Sequence, residues 1–515
     1  MVGFSEDPAW GKTCTPGKSS NTGPYSERSA WDNACTSASF IPPPPPCPRL
    51  TEDIDLATLT LSHGIKIIGS GAEQSGYSVS GVGDIDGDGY ADFIIGAPEG
   101  DGLAFEKSYL IYGSASPLDI TLSSLGSAGI IIYGKEYSPG KLGWSVSGVG
   151  DVNNDGFDDF IIGAPNMNSN AGKSYLIFGN DIRLTSIHLD PLFFSSGIII
   201  NGDGISSGKA GYSVSGAGDV DGDGKADFII GAPEFNSNVG ISYLIYGDTK
   251  ANLGNTIELG SLGAKGIVIT GDTSYAGKAG FSVSGAGKVN NDNYADFIIG
   301  APDVDSPPDG RSYLILGNTK ANLPSTIDIN TEIGTYGITI TGPGLGGERV
   351  GYSVSGAGNV NGDDFDDFII GAPQGASTGG ISYLIYGSAS PSNINLDSPL
   401  GAAGITITGS GTEQAGTSVS GAGDMDKDGY ADFIIGAPVG AEGKSYLIYG
   451  SALPSDIILS SLGSAGITIT GVSGDQSGFS VSNAGDVNNN GCTDLIIGAP
   501  TTGTPDAGES YIIFG

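Results

Sequence analysis

The stretch Gly83-Asp84-Ile85-Asp86-Gly87-Asp88-Gly89-Tyr90-Ala91-Asp92-Phe93-Ile94-Ile95-Gly96-Ala97-Pro98 decides the fold. It sets Asp84, Asp86, Asp88 and Asp92 at relative positions one, three, five and nine, and a short apolar run follows at once. Nearly the same text starts again at Asp151, Asp219, Lys288, Asn359, Asp424 and Asp486, with spacings of 62 to 71 residues. Length alone suggests about three or four domains for 515 residues. A sevenfold repeat overrides that expectation and points to one array of like units.

Outward from the acidic stretch, each unit holds four short apolar segments. In the third copy these are Ser213–Gly218 before the loop, Phe228–Pro233 after it, Ser242–Gly247, and Gly266–Gly271. All are rich in β-branched or aromatic residues and are bounded by Gly, Pro, Asn or Asp, which predicts strands. No segment sustains apolar residues at helical spacing over helical length. Four antiparallel strands repeated seven times predict an all-β, seven-bladed propeller over residues 51–515. The ends sharpen this reading. The last unit stops at Gly515 after its third strand, whereas an orphan strand of the fourth type, Gly64–Gly69, precedes the first unit. Placed in the last blade it completes the ring and protects an exposed edge.

The loops carry the chemistry. A tight hairpin brings carboxylates at positions one, three and five toward one point, and two of them about 4 Å apart repel by roughly 4 kcal/mol at an effective dielectric of about 20. A cation is the natural counterweight. Calcium takes about six to eight oxygens from Asp, Asn, carbonyls and water. The fullest sets are Asp84, Asp86, Asp88 and Asp92; Asp219, Asp221, Asp223 and Asp227; and Asp424, Asp426, Asp428 and Asp432. Asp151, Asn153, Asp155 and Asp159 form a fourth set, and Asp486, Asn488, Asn490 and Asp494 a poorer fifth. Position seven (Tyr90, Phe157, Lys225, Tyr430, Cys492) varies freely, as expected of a carbonyl donor. Glycine at position six supplies the turn. Copy five, with Asn359, Asn361 and Asp364, should bind weakly. Copy four starts on Lys288, whose ammonium should pair with Asp292 and Asp296 and exclude metal. These are not EF-hands, because Ile95 stands at position twelve and strands flank the loop. The alternative for any single loop is a solvated acidic hairpin.

The charge of −36 arises from 57 acids against 21 bases, with 24 of the acids inside the seven loops. Such a surface repels nucleic acid and anionic lipid. No apolar run is long enough for a membrane helix, and no signal peptide is visible at the start. Cys14, Cys35 and Cys47 lie within the first fifty residues and Cys492 sits alone in the last loop, a placement that predicts no disulfide framework. Residues 1–50, rich in Ser, Thr, Gly and Pro with five consecutive prolines at 42–46, read as a disordered lead-in and stiff spacer, or as an adapter.

The recurring Gly-Ala-Pro after an acidic loop resembles the FG-GAP repeat of integrin α-subunits, over about residues 51–515. The family's Phe-Gly pair is kept only at its Gly: Ser75 stands at the Phe position in the first copy, and Leu142, Ala210, Ala279, Val350, Ala415 and Ser477 in the others. The resemblance implies calcium in hairpins of one face and adhesion-type binding to extracellular ligands by the other. It also makes the recurring aromatic at Tyr77, Trp144, Tyr212, Phe281, Tyr352 and Phe479 (Thr417 in the sixth copy) a candidate cage for a basic residue of an integrin-β-like partner, with blade packing as the alternative. Topology favours the same face, where the loops 99–107, 166–173, 234–241 and 303–311 vary in length or character.

Only His63 and His188 are present, each apart from any catalytic grouping in the sequence, so no enzymatic role is expected. The function expected is that of a calcium-binding extracellular recognition module for a protein or glycan ligand. The alternatives are a propeller lectin, a non-catalytic propeller beside a secreted hydrolase, or a plain spacer. Calcium affinities of about 10⁻⁴–10⁻³ M, usual for extracellular modules, place the protein outside the cell or at its surface.

Overall fold

A computed structural model describes residues 47–100, 105–135, 140–183, 186–189, 197–204, 207–303, 309–344, 347–375, 379–501 and 506–515. The chain divides into Met1–Pro44 and Pro45–Gly515, and every described residue belongs to the second part. The lead-in expected over 1–50 therefore falls outside the described residues as far as 46.

Seven sheets make seven blades. In the first, Ser78–Gly83, Asp92–Ala97, Lys107–Ile111 and Gly129–Tyr133 run antiparallel from the inner edge outward. The second strand, Asp-Phe-Ile-Ile-Gly-Ala, is buried at every position because a neighbouring blade covers each of its faces. The fourth strand alternates, with Ile130 and Ile132 inside and Ile131 half-buried, as a strand near the rim should. Apolar clusters lie between adjacent blades. Ile161 and Leu176 of blade two pack with Phe228, Ile230 and Tyr243 of blade three, and full burial of each such side chain contributes about 1.5–3 kcal/mol.

The inner strands approach backbone to backbone. A Cβ placed on Gly81 would lie 2.6 Å from the Asn483 carbonyl oxygen, and one on Gly148 2.7 Å from that of Gly81. The Ser-Val-Ser-Gly text thus fits an interface with little room beyond hydrogen at the fourth position in six copies, while the seventh places Asn483 there. One hydrogen bond recurs between blades: the Ser78 hydroxyl donates to the Gly143 carbonyl at 2.8 Å, and Ser480 donates to Gly76 at 2.9 Å across the junction of blades seven and one.

Four strands per blade are expected; the structure adds a fifth. Ser186–His188, from the connection between the third and fourth strands of unit two, runs parallel to the rim strand of blade one. The same loan recurs around the ring, for example Thr326–Asp328 on blade three and Ile394–Asn395 on blade four. It covers each outer edge with a two- or three-residue strand too short to template another chain. The expectation of no helix also needs correction. Ile329–Tyr336 forms one after blade four's third strand, started by Asp328, whose carboxylate accepts from the Asn330 N–H while Glu332 accepts from the Asp328 N–H.

The N-terminal strands join the far end of the chain. Gly64–Ile68 pairs antiparallel with Glu509–Ile513 as the fourth strand of blade seven, and Ile54–Asp55 lies parallel on Gly466–Thr470 as the fifth strand of blade six. The expected absence of disulfides is overturned by Cys47–Cys492, bridged with Cα atoms 5.6 Å apart. Sequence separation of 445 residues hides this pair, which only ring closure brings together. Cys47–Leu50, assigned to the lead-in by composition, instead lies on the propeller: Leu50 packs on the core between blades six and seven, and its carbonyl accepts from the Tyr449 hydroxyl at 2.7 Å.

Candidate metal centre

Each acidic loop joins the inner strand to the second strand of its blade, so seven loops share one face. Backbone N–H groups aim the carboxylates. In loop one the Asp84 oxygens accept from the N–H groups of Asp88 and Gly89 at 3.1 and 2.9 Å, Asp86 accepts from Asp88 at 3.2 Å, and Asp88 accepts from Tyr90 at 3.1 Å. Loops three and six repeat the pattern. The wrap requires left-handed backbone at position four as well as position six. Gly87 and Gly89 meet this in loop one, whereas Lys427 at φ 53° and Asp364 at φ 76° meet it without help from glycine.

Three sets of acids converge. Ligand oxygens of Asp84, Asp86 and Asp92, of Asp219, Asp221 and Asp227, and of Asp424, Asp426 and Asp432 lie within 4.8 Å of one another in each set. These are the loops with aspartate at all four side-chain positions. The position-five carboxylates Asp88, Asp223 and Asp428 stand outside the sets and meet cations instead. Arg183 of unit two bonds both Asp86 and Asp88 while lying over the Tyr112 ring at 4.5 Å. Arg49 lies 3.4 Å from Asp426 and 4.0 Å from Asp428, and 3.9 Å over Tyr449. Lys320 lies 3.9 Å from Asp221 and 4.2 Å over Tyr246, while Lys225 takes Asp223 at 2.7 Å.

The other loops differ. Asp151 and Asp486 keep the two backbone bonds of position one, from Asp155 and Gly156 and from Asn490 and Gly491. No third acid joins Asp151 and Asp159, because Asn153 replaces the position-three carboxylate; Asn488 and Asn490 dilute loop seven in the same way. Phe157 and Cys492 donate their N–H groups to Asp155 and Asn490, as position seven does elsewhere. In loop four the expected pairing of Lys288 does not form. Lys288 is exposed, no ion pair links it to Asp292 or Asp296 among the described residues, and the Asn290 amide donates to Asp292 at 2.9 Å instead.

Position nine has a role of its own in all seven loops. Asp92 is fully buried, and its carboxylate accepts from the N–H of Ile85 at 3.0 Å and of Gly113 at 2.8 Å, tying the loop to the end of the third strand. Burial outweighs these bonds and pushes its pKa up to about 8, as it does for Asp159 and Asp227. Asp296, Asp367, Asp432 and Asp494 rise to about 7 for the same reason. An all-oxygen set with three converging carboxylates suits a hard divalent cation, whose charge would hold position nine ionised. Asp84, Asp86 and Asp92 with their counterparts in loops three and six would hold such an ion.

The aromatics gather at the opposite mouth of the ring. Neighbouring ring centroids are 4.7 Å apart for Tyr77–Trp144, 5.5 Å for Trp144–Tyr212, 5.1 Å for Tyr212–Phe281, 5.0 Å for Phe281–Tyr352 and 5.0 Å for Tyr77–Phe479, with the gap at Thr417. All are half-buried, so they pack blade on blade and still present an edge to solvent. Arg349 lies 5.1 Å over Tyr352 while bonding Asp303 at 2.8 Å. A further set escaped the sequence reading. In several blades the tyrosine of the Ser-Tyr-Leu-Ile strand meets a buried acid near this mouth: Tyr109 donates to Glu73 at 2.8 Å, Tyr383 to Glu348 at 3.1 Å and Tyr446 to Glu413 at 2.7 Å. The repeated tyrosine was the available signal.

Comparison with known proteins fits this geometry. The FG-GAP repeat model matches residues 75–110, 142–177, 210–245, 350–385, 415–448 and 477–513. The unit of Lys288 lies outside those ranges yet builds the same blade. Integrin alpha pat-2 of Caenorhabditis elegans is 29% identical over 250 residues, 47% of this chain and 18% of that protein. Integrin alpha-PS2 of Drosophila melanogaster is 28% identical over 239 residues, 44% and 15%. Phosphatidylinositol-glycan-specific phospholipase D of Bos taurus is 29% identical over 202 residues, 38% and 22%. The matches thus cover at most about a fifth of these relatives. The chain is an FG-GAP repeat protein, and its seven-bladed propeller resembles that of integrin α-subunits.

Proposed function

We propose that this propeller is a calcium-stabilised extracellular recognition module that displays a protein or glycan ligand site on the face opposite the acidic loops. The observation that carries the reading is the convergence of three carboxylates in each of loops one, three and six. The aromatic ring at the other mouth and the integrin relatives support an adhesion-type role and an integrin-β-like partner. Calcium at Asp84, Asp86, Asp88, Asp92 and the carbonyl of Tyr90, and at the matching positions of the other aspartate-headed loops, would stiffen one face and leave the other free to vary. The Cys47–Cys492 bridge supports an oxidising compartment. Among the described residues no helix is long and apolar enough to cross a membrane.

The phospholipase relatives favour a second reading, a non-catalytic propeller that accompanies a hydrolase. Two measurements separate the readings. Calcium-loaded protein should capture a surface protein from cell-surface extract and release it on chelation; capture of a secreted hydrolase would favour the second reading, and a glycan-array signal the lectin. Chelation itself should lower the melting temperature, and changing Asp84, Asp86 and Asp88 together to Ala should remove blade one's share of that shift. A melting temperature indifferent to chelator at low ionic strength would end the metal reading.

A further inference from the structure

The three loops with aspartate at positions one, three, five and nine share a feature that their sequences do not contain. Each has a side-chain cation from outside its own unit held against its position-three carboxylate, and each of those cations lies on the tyrosine that ends the same blade's third strand. Arg183 meets Asp86 and Asp88 and lies on Tyr112; Lys320 meets Asp221 and lies on Tyr246; Arg49 meets Asp426 and lies on Tyr449. The donors come from unrelated texts: the connections after the third strands of units two and four, and the segment before the first strand. Among the described residues no ion pair reaches Asp151, Asp155, Asp363 or Asp486, in the loops where asparagine takes position three. Contact with a position-three carboxylate thus accompanies aspartate at that position; in loop two, where Asn153 stands there, Lys250 still lies over the corresponding ring, Phe178, at 5.8 Å.

We propose that Arg183, Lys320 and Arg49 are resident counter-cations of loops one, three and six, and that a divalent ion entering these loops must displace them from the position-three carboxylate. This rests on the calcium reading above and deepens it. Asp86 and Asp221 are buried, so their carboxylates are poorly solvated and need a partner at all times. A guanidinium or ammonium fills that need in the metal-free molecule. Calcium, with twice the charge and direct coordination, fills it in the loaded one. The tyrosine ring keeps the displaced cation close by through cation–π attraction. Its positive charge then opposes the incoming ion, so these loops bind calcium more weakly than their acid count implies. In exchange, the emptied loop does not splay. For loops one and three the cation comes from a following unit, so ion exchange is also a change of contact between units.

The test uses the full chain, stripped of metal and titrated with calcium against a chromophoric chelator, comparing wild type with Arg183→Gln and Lys320→Gln. Each variant should tighten one calcium ion by roughly tenfold, the scale expected from removing a unit charge several ångströms from a divalent ion near the surface, with the number of ions bound unchanged. In excess chelator Arg183→Gln should melt several degrees below wild type, and in saturating calcium the difference should close. Lys320, half-exposed on another blade, keeps the test valid if Arg183→Gln folds poorly. Affinity that is unchanged or weaker in both variants overturns the displacement while leaving the calcium reading intact. No uptake of calcium by wild type or variants sinks both.

Discussion

At the scale of the residue, the aspartate at position nine shows how one side chain serves structure and site together. Asp92 holds two backbone N–H groups in a fully buried setting, and its pKa of about 8 means that the metal-free fold retains a proton which the unfolded chain has released above about pH 4. The sign follows directly. The folded state binds more protons between those limits, so stability of the chelated protein falls as pH rises from about 5 to 8. Seven such residues act in the same direction. With saturating calcium the ionised carboxylate is the form required, and the slope should flatten or reverse. Melting curves at pH 5 and pH 8, in chelator and in calcium, check this; a chelated protein more stable at pH 8 would contradict it. Positions one, three and nine were legible from spacing alone, because the hairpin's own backbone orients them. The outward turn of Asp88 was not, since its partner Arg183 lies 95 residues further along the chain. Lys288 misled for a related reason: sequence gives its charge, but not the exposed direction its side chain takes.

At the scale of the element, the third strand carries a recurring cost. Ser108, Ser174, Ser242, Ser312, Ser382, Ser445 and Ser510 are buried, and their hydroxyls have no hydrogen-bond partner. Space explains the choice. The Ser242 oxygen faces Gly280, just before the next blade's inner strand, where a Cβ on the glycine would lie 2.7 Å away. A small residue is required at this crossing, and the hydroxyl adds desolvation without a bond. Ser242→Ala should therefore be neutral or stabilising by up to about 1 kcal/mol, measurable as a rightward shift in urea midpoint at constant slope; a loss above 1 kcal/mol would reveal a bond that the geometry does not show. Four strands per blade could be read because the second and third each have an apolar core of at least three residues, the fourth alternates on isoleucine, and the first repeats its Ser-Val-Ser text seven times. The fifth could not, since pairs such as Ile394–Asn395 or Ile457–Ile458 are too short to carry a period and owe their conformation to the strand beside them.

At the scale of the whole molecule, the ring is shut at one seam by residues 54–68 and by the Cys47–Cys492 bridge. A cross-link spanning 445 residues restricts the unfolded chain by at most about 6 kcal/mol in the chain-entropy description, before native strain is counted. Dithiothreitol should lower the melting temperature by several degrees while the strand signal in circular dichroism persists, and Cys47→Ser should melt at the reduced temperature with or without reductant. Equal melting of oxidised and reduced protein would show that the hydrogen-bonded seam closes the ring unaided. Orphan strand and missing strand together made the pairing of the two ends readable. The bridge was hidden because cysteine counting sees neighbours in sequence, and these two are neighbours only after the last blade forms.

The seam also sets a schedule. A ribosome adding about 5–20 residues per second delivers Glu509–Ile513 roughly 20–90 s after Gly64–Ile68, its future partner, has emerged. Throughout that interval the edge of the early strand that faces Glu509–Ile513 waits unmatched, its other edge taken by Ile120–Thr121, while blades accumulate toward a gap they cannot yet fill. Any cellular factor that shields the nascent segment, or any mutation that lets it pair prematurely with the wrong blade, would act on the yield of folded protein without touching the finished ring.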